Sequence, residues 1–131
     1  MTLAALILAA ALIPGPVPAT VENVYDGDTI TVRAHVWPGI ESVTKVRIRG
    51  IDAPEIRGRC RAEKQRAREA RDFLRKQLGE RITLTNIEPD KYGRALADVA
   101  TADGQSAAEL LLAAGHARPY GGGRRLEWCG D

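Results

Sequence analysis

The chain has 131 residues, of which 44% are hydrophobic, and it carries a formal net charge of +2. This length suits one domain with one modest core, and no repeat or low-complexity segment separates a second domain. The charge is mild, so any attraction for a polyanion must come from the distribution of charges along the chain. With only His35 and His116 present, a three-histidine zinc site is excluded.

The first nineteen residues differ from everything that follows them. Residues 3–13 form an uncharged apolar run, Pro-Gly-Pro follows at 14–16, and small residues end at Ala19. The run is short for a membrane span and is typical of a secretory signal, although no basic residue precedes it. We expect residues 1–19 to be a signal peptide that is cleaved near Ala19. The protein would then be periplasmic or extracellular, with no membrane span in the mature chain. An uncleaved anchor or a wrongly assigned start is the alternative.

Strand patterns occupy the next part of the chain, up to residue 51. Residues 21–25 and 29–36 predict two strands around an Asp-Gly-Asp turn, because apolar and polar side chains alternate in the second of them. The Pro-Gly pair at 38–39 predicts that this strand folds back as a hairpin. Residues 44–51 predict a third strand with one apolar and one basic face.

The hydrophobic period changes to that of a helix between residues 61 and 78. Ala67, Ala70, Leu74 and Leu78 recur at helical spacing, and Gly79 is placed to end the helix. Basic residues outnumber acidic ones in the segment 57–81. This excess indicates either an ordinary solvated helix face or a surface that attracts a polyanion.

The last part of the chain predicts two strands and a short helix. The strands are expected at residues 81–87 and 94–101, and the Asp-Gly pair at 103–104 predicts a tight turn after them. Ser106 and Glu109 form a capping box that opens a helix through Ala114. Three strands, a helix, two strands and a helix predict a β-barrel with helices (α+β), and the order suits a five-stranded OB-fold.

The glycine-rich tail beyond Tyr120 has few features of its own. Only Leu126 and Trp128 are expected to dock on the domain. Cys60 and Cys129 lie too far apart to resemble the close cysteine pairs of zinc sites. In an oxidising compartment they would form one disulfide that pins the tail to the start of the long helix, worth about 4 kcal/mol. Two unpaired thiols are the alternative.

Three short segments carry the residues that indicate chemistry. They are Asp-Gly-Asp-Thr at 26–29, Arg-Ile-Arg-Gly-Ile-Asp-Ala-Pro-Glu at 47–55 and Asp-Lys-Tyr-Gly-Arg at 90–94. Carboxylates bind a hard cation such as Ca²⁺, and arginines bind phosphate through a planar, two-pronged fork. Each segment alone could be an ordinary turn. As a set they indicate metal-assisted cleavage of a phosphodiester.

Each residue type in these segments suits one part of that chemistry. Asp28 and Asp52 are the candidate metal carboxylates, and a backbone carbonyl near Asp52 could add a ligand. Glu55 could take a proton from the attacking water. Arg47 and Arg94 could stabilise the charge that builds on the phosphate oxygens in the transition state.

The three segments occur in the order and at the spacing of the staphylococcal nuclease (thermonuclease, micrococcal nuclease) family, which the chain resembles over residues 21–120. The resemblance implies an OB-fold domain over residues 20–131. It also implies a calcium-dependent endonuclease that cleaves DNA and RNA to 3′-phosphate products with one Ca²⁺. No stable protein partner is implied, and we expect a monomer.

The resemblance also assigns roles to individual positions. It implies metal ligands at Asp28, Asp52 and the backbone carbonyl of Ala53, a general base at Glu55, phosphate-binding arginines at Arg47 and Arg94, nucleotide contacts at Lys91, Tyr92 and Tyr120, and a supporting carboxyl near the metal at Asp26.

The chain departs from the family pattern in three places. Ala53 stands where the family has a threonine, and Tyr120 is the one counterpart of a pair of tyrosines that stack on the nucleotide. The C-terminal helix of the family is essentially missing, and the Cys60–Cys129 pair would substitute for it by tying down a shorter tail. A non-catalytic OB-fold module that only binds nucleic acid is the alternative function. Retention of all five candidate catalytic and metal side chains argues against it.

Overall fold

The structure is a computed structural model that describes residues 12–130. In chain order its elements are β1 (Val17–Val24), β2 (Thr29–Trp37), β3 (Ile40–Ile48), β4 (Ile51–Asp52), α1 (Arg61–Leu78), β5 (Arg81–Pro89), β6 (Ala95–Thr101), α2 (Ala107–Ala113) and β7 (Arg118–Pro119). Among residues 12–130, neither helix is long and apolar enough to cross a bilayer.

Five strands close into a barrel in the order β1-β2-β3-β6-β5. Strands β3 and β6 are parallel, and the other neighbours in the barrel are antiparallel. Alternate side chains point into the barrel, so that Ile30, Val32, Val46 and Ile48 are fully buried while their neighbours along each strand are more exposed. This closed, mixed five-stranded barrel with two helices confirms the predicted OB-fold.

The third strand lies earlier in the chain than the sequence predicts. The turn at 38–39 is tight, with Gly39 at a φ of 80°, so β3 already pairs at Ile40 with Trp37 of β2. At the other end Gly50 has a φ of 89°, which turns the chain and ends the strand. Residues 51–52 leave the barrel and pair with β7 as a separate two-stranded sheet.

Strand β1 begins inside the segment that the sequence assigns to a leader. Val17 pairs with Leu84 of β5 and Ala19 with Ile82, and Ala19 is buried in the core. The predicted boundary therefore falls within a strand, and cleavage near Ala19 would remove part of β1. Residues 1–11 lie outside the described residues, so the signal peptide remains a prediction.

Helix α1 has the bounds that its hydrophobic period predicts. Its apolar face is buried along Ala67, Ala70, Leu74 and Leu78, and the N–H of Gly79 donates to the carbonyl of Arg75 at its end. The opposite face, which carries the basic excess, is largely exposed. In α2 the Ser106 side chain accepts a hydrogen bond from the N–H of Glu109, as the capping box predicts.

The tail is tied to the start of α1. Cys60, the N-cap of the helix, forms the predicted disulfide with Cys129. Trp128 is docked, with 8% of its surface exposed, whereas Leu126 is 68% exposed. The prediction for Leu126 is therefore wrong, because polar anchors at Arg125 and Trp128 hold the tail to the domain and leave Leu126 on its solvent side.

Candidate active site

The turn at residues 26–29 is packed tightly against the rest of the site. A Cβ atom on Gly27 would lie 2.8 Å from the Cβ of Ala53 and 2.9 Å from that of Ala70, so glycine is required for this approach. The backbone N–H of Asp28 donates to Asp26 Oδ1 over 3.1 Å, which fixes the turn from inside. The packing places Asp28 beside the segment that follows β4.

Asp26 is a buried carboxyl behind this turn. Its burial, followed by the negative charge of Asp28, raises the pKa of Asp26 to about 8. Both effects favour the neutral form of this carboxyl, which supports the Asp28 turn from behind.

Asp28 and Asp52 meet around one arginine. Strand pairing sets Arg47 opposite Thr29, next to Asp28. The Nη2 atom of Arg47 lies 3.5 Å from Asp28 Oδ2 and 3.9 Å from Asp52 Oδ1. Asp28 Oδ2 also accepts a 2.8 Å hydrogen bond from the N–H of Ala53. The register of the β2–β3 hairpin thus brings together residues from the first two motif segments.

Glu55 lies at the edge of the same site, just after β4. Its side chain is 52% exposed, so its carboxylate is in reach of solvent. Its backbone N–H donates to the buried carboxylate of Glu63 over 3.0 Å, which holds the chain at this point.

Arg125, which the sequence did not indicate, lies at the centre of these groups. Its Nε donates to Asp52 Oδ1 and its Nη1 to Glu55 Oε1, both over 2.6 Å, and its Nη2 donates to the carbonyl of Ala53 over 3.2 Å. Burial acts to lower the pKa of Arg125, but its bonds to Asp52 and the charges of Asp52 and Glu55 outweigh that effect and raise it. No motif surrounds this arginine in the sequence.

Trp128 completes the environment of Asp52. Its indole Nε1 donates to Asp52 Oδ2 over 3.2 Å. The Arg118 guanidinium stacks on the ring, 3.7 Å from its centroid. Both carboxylate oxygens of Asp52 therefore accept hydrogen bonds from the tail.

The third motif segment forms a turn between β5 and β6. Asp90 accepts hydrogen bonds from the N–H of Tyr92 and of Arg94, each over 2.8 Å, and from Arg94 Nε over 2.7 Å. Burial acts to raise the pKa of Asp90, but these bonds outweigh it and lower it. The guanidinium of Arg94 lies 5.4 Å and the ammonium of Lys91 5.3 Å from the centroid of the exposed Tyr92 ring.

One open cleft of about 1240 Å³ joins all three segments. Arg94 and Tyr92 line it together with Arg47, Asp52 and Glu55. Tyr120 also lines the cleft, where its ring centroid lies 5.9 Å from the Arg47 guanidinium. The predicted site side chains therefore share one cleft, and Ala53 presents its carbonyl from a buried position beside it.

The oxygen atoms of the site suit a hard cation. Within residues 12–130, no cluster of three or more histidine, cysteine, aspartate or glutamate side chains could hold a metal. The candidate ligands remain those that the sequence predicts, the carboxylates of Asp28 and Asp52 and the carbonyl of Ala53. The Arg125 guanidinium contacts both Asp52 and the Ala53 carbonyl, so the oxygens of these two groups face a common centre. Oxygen donors of this kind fit Ca²⁺.

Comparison with known proteins identifies the family of the chain. The family model described as staphylococcal nuclease homologue matches residues 45–125, which is more than half of the chain. A protein of Escherichia coli O157:H7 and one of Escherichia coli, each named as an uncharacterized endonuclease, are 34% identical to the chain over 103 residues. These matches cover 76% of this chain and 59% of each relative, so the chain spans less than two thirds of their length. The chain belongs to the family of staphylococcal nuclease homologues.

Proposed function

We propose that the protein is an exported endonuclease that hydrolyses phosphodiester bonds in DNA and RNA, uses one Ca²⁺ and leaves 3′-phosphate ends. The observation that carries this proposal is the convergence of Asp28, Asp52 and Arg47, with Glu55 beside them, in an open cleft. Membership of a nuclease family and the endonuclease names of two relatives support it.

Asp28, Asp52 and the carbonyl of Ala53 would hold the calcium ion. When bound, Ca²⁺ would polarise the phosphate and offset the negative charge of the reacting group. Because the two carboxylates nearly neutralise a divalent cation, Arg47 and Arg94 in the same cleft would supply the attraction for an anionic substrate. Asp26, buried behind the turn, accepts the hydrogen bond from the Asp28 N–H that keeps the turn in place.

Glu55 would act as the general base. A carboxylate that is half-exposed in the cleft can accept a proton from a water molecule as that water attacks phosphorus. The hydrogen bond from its backbone N–H to Glu63 restrains the chain that carries it.

Arg47 and Arg94 would bind the phosphate from two sides of the cleft. Negative charge grows on the non-bridging oxygens in the transition state, and fixed guanidinium groups stabilise it there more than in the ground state. Arg47 is held by its contacts with Asp28 and with the carbonyl of Ile48. Asp90 accepts a hydrogen bond from Arg94 Nε, which leaves the two terminal nitrogens of that guanidinium available to a phosphate.

Lys91, Tyr92 and Tyr120 would contact the nucleotide. Tyr92 is 70% exposed at the rim of the cleft, where an unpaired base could stack on its ring. Lys91 could bind a neighbouring phosphate by charge. These contacts favour single-stranded or locally opened substrates, because a stacked base must first leave the duplex.

We also propose that the protein is exported and that it acts as a monomer. The Cys60–Cys129 disulfide is compatible with an oxidising compartment, periplasmic or extracellular, reached through a signal peptide. Disulfides are rare in the reducing cytosol, which is why this bond favours export. Cleavage near Ala19 would leave the mature chain with a β1 strand that lacks its first residues, Val17 to Ala19.

Digestion of four substrates tests the activity. Single- and double-stranded DNA and RNA are incubated with the purified protein in calcium, in magnesium and in chelator, and the product ends are analysed. We expect cleavage of both nucleic acids in calcium, 3′-phosphate ends and no cleavage in chelator.

Substitution of Glu55 tests the base. Glu55→Ala should lower kcat by about 10²–10⁴-fold without loss of folding, whereas Glu41→Ala, on the β2–β3 hairpin, should leave kcat unchanged. Full activity of Glu55→Ala, or cleavage that persists in chelator, would contradict the mechanism.

A non-catalytic nucleic-acid-binding module is the second candidate. The observation in its favour is that Arg125 bonds to both Asp52 and Glu55, the proposed metal ligand and base. Binding of nucleic acid in chelator, with no cleavage when calcium is restored, would establish this function instead.

A further inference from the structure

Arg125 contacts the atoms that a metal ion would need. Two of the three proposed ligand groups, the carboxylate of Asp52 and the carbonyl of Ala53, accept hydrogen bonds from its guanidinium. The third nitrogen of the same group bonds to Glu55, the proposed base. A cation bound to these oxygens and a guanidinium bonded to them compete for the same lone pairs.

The tail keeps Arg125 close to the site. On one side, the N–H of Tyr120 donates to the carbonyl of Gly50. On the other side, Trp128 donates to Asp52, and Cys129 is bonded to Cys60 at the start of α1. Because the segment is anchored at both ends, Arg125 competes as a tethered group at high effective concentration.

The segment between these anchors can still rearrange locally. Residues 121–123 are three glycines, of which Gly122 and Gly123 have φ values of 107° and 79°. Arg125 is 36% exposed in its side chain, so it lies at the mouth of the site and can move into solvent without unfolding the core.

We propose that Arg125 is a built-in competitor of the metal ion, which occupies Asp52 and the Ala53 carbonyl until a divalent cation displaces it. This inference rests on the proposed function, because it assumes that these oxygens bind metal. Displacement also releases Glu55 from its bond to Arg125. Metal binding and release of the base are therefore coupled in one step, and the protein acts as a nuclease only where calcium is sufficient to drive that exchange.

The alternative is that Arg125 serves only to neutralise the buried Asp52 carboxylate. The two roles predict different changes in metal affinity. Removal of a competitor tightens calcium binding, whereas removal of a supporting cation leaves the affinity unchanged or weakens it by disordering the carboxylate.

Calorimetric titration of CaCl₂ into the whole protein measures this difference. The variants are Arg125→Ala and the matched control Arg124→Ala, which removes the same charge from the exposed neighbouring position. We expect Arg125→Ala to bind calcium about tenfold tighter or more, since it loses charged hydrogen bonds to the ligands. Arg124→Ala should stay within about twofold of the wild type, because exposed charges are screened.

Circular dichroism in chelator checks the folding of each variant. If Arg125→Ala does not fold, Arg125→Lys replaces it, because a lysine side chain cannot bond to all three acceptors.

Proton–nitrogen NMR of the arginine side chains gives a second readout. The Nε–H signal of Arg125, assigned by its loss in Arg125→Lys, should be protected from exchange in chelator and lose this protection at saturating calcium. Retained protection at saturation would overturn the inference.

The outcomes separate this inference from the proposed function. If Arg125→Ala binds calcium no tighter than the wild type while the wild type still cleaves in a calcium-dependent way, the competitor role is wrong and the nuclease proposal stands. If no variant binds calcium and cleavage does not depend on it, both are wrong.

Discussion

The carboxylate of Glu63 accepts a 3.0 Å hydrogen bond from the backbone N–H of Glu55. Its second oxygen accepts a 3.2 Å bond from the N–H of Arg59. Glu63 is only 6% exposed and lies in the first turn of α1, where the helix dipole favours a negative charge. One buried carboxylate therefore holds two points of the loop that carries the proposed base.

Substitution of Glu63 should affect both stability and turnover. We expect Glu63→Ala to lower the free energy of unfolding by about 1–3 kcal/mol, because two backbone N–H groups lose their buried acceptor. The looser loop should lower kcat while KM changes little, since Glu63 does not contact the substrate. Urea unfolding in chelator and steady-state kinetics measure the two effects. Glu69→Ala, on the exposed face of α1, is the control, and unchanged kcat in a folded Glu63→Ala protein would show that the loop needs no such anchor.

Lysine substitutions can distinguish Arg47 and Arg94, the proposed phosphate-binding arginines, from the nearby Arg49. Arg49 lies close to Arg47 in the chain but pairs with Glu88 and Asp98. We expect Arg47→Lys and Arg94→Lys to reduce kcat by about 10²-fold or more, because lysine cannot reproduce the planar, bidentate contact. Arg49→Lys should retain activity within about threefold. Equal losses in all three variants, measured with the same single-stranded DNA, would argue against a specific clamp.

The hydrogen bonds to Asp90 predict an acid-dependent contribution to stability. Its pKa is lowered in the folded protein, since the bonds from Arg94 and Tyr92 outweigh the opposing effect of burial. A lowered carboxyl pKa stabilises the fold above the unfolded value of about 4, and the contribution is lost as the pH falls through the folded value.

Asp90→Asn should therefore be less stable than the wild type at pH 7, by about 1–2 kcal/mol. The difference should begin to shrink below about pH 4 and disappear as the pH falls through the lowered pKa of the folded protein, where the wild-type carboxyl is also protonated. Thermal or urea unfolding between pH 3 and pH 7, at about one-unit steps, measures this gap. Asp72→Asn, which removes an exposed carboxylate from α1, should show a much smaller gap, and a gap for Asp90→Asn that is constant with pH would contradict the assignment.

Reduction of the disulfide should destabilise the domain. The bond closes a loop with a sequence separation of 69 residues, and the chain-entropy model gives about 4 kcal/mol for a loop of that size. The double variant Cys60→Ser, Cys129→Ser should show the same loss in the absence of reductant. Denaturant unfolding of the oxidised, reduced and double-variant proteins tests this, and reductant should have no effect on the double variant.

The sequence by itself determined the two helices, the number and order of the barrel strands, and the motif residues of this protein. Hydrophobic periodicity and capping are local signals, so helix α1 and the Ser106 cap lie where the residues predict them. Asp28 and Arg47 were identified from short motifs, and they meet because the β2–β3 register sets Thr29 opposite Arg47.

Only the tertiary structure decided what the tail does. Its three glycines and two arginines have no hydrophobic period, so nothing local indicated that Arg125 would bond to Asp52 or that Leu126 would be exposed. The path of the tail follows from contacts between residues that are far apart in the chain, the Cys60–Cys129 bond and the Trp128–Asp52 hydrogen bond. The cysteine count already predicted the first of these contacts. The Trp128–Asp52 and Arg125–Asp52 bonds depend on the folded positions of both partners, which is why local sequence patterns do not contain them.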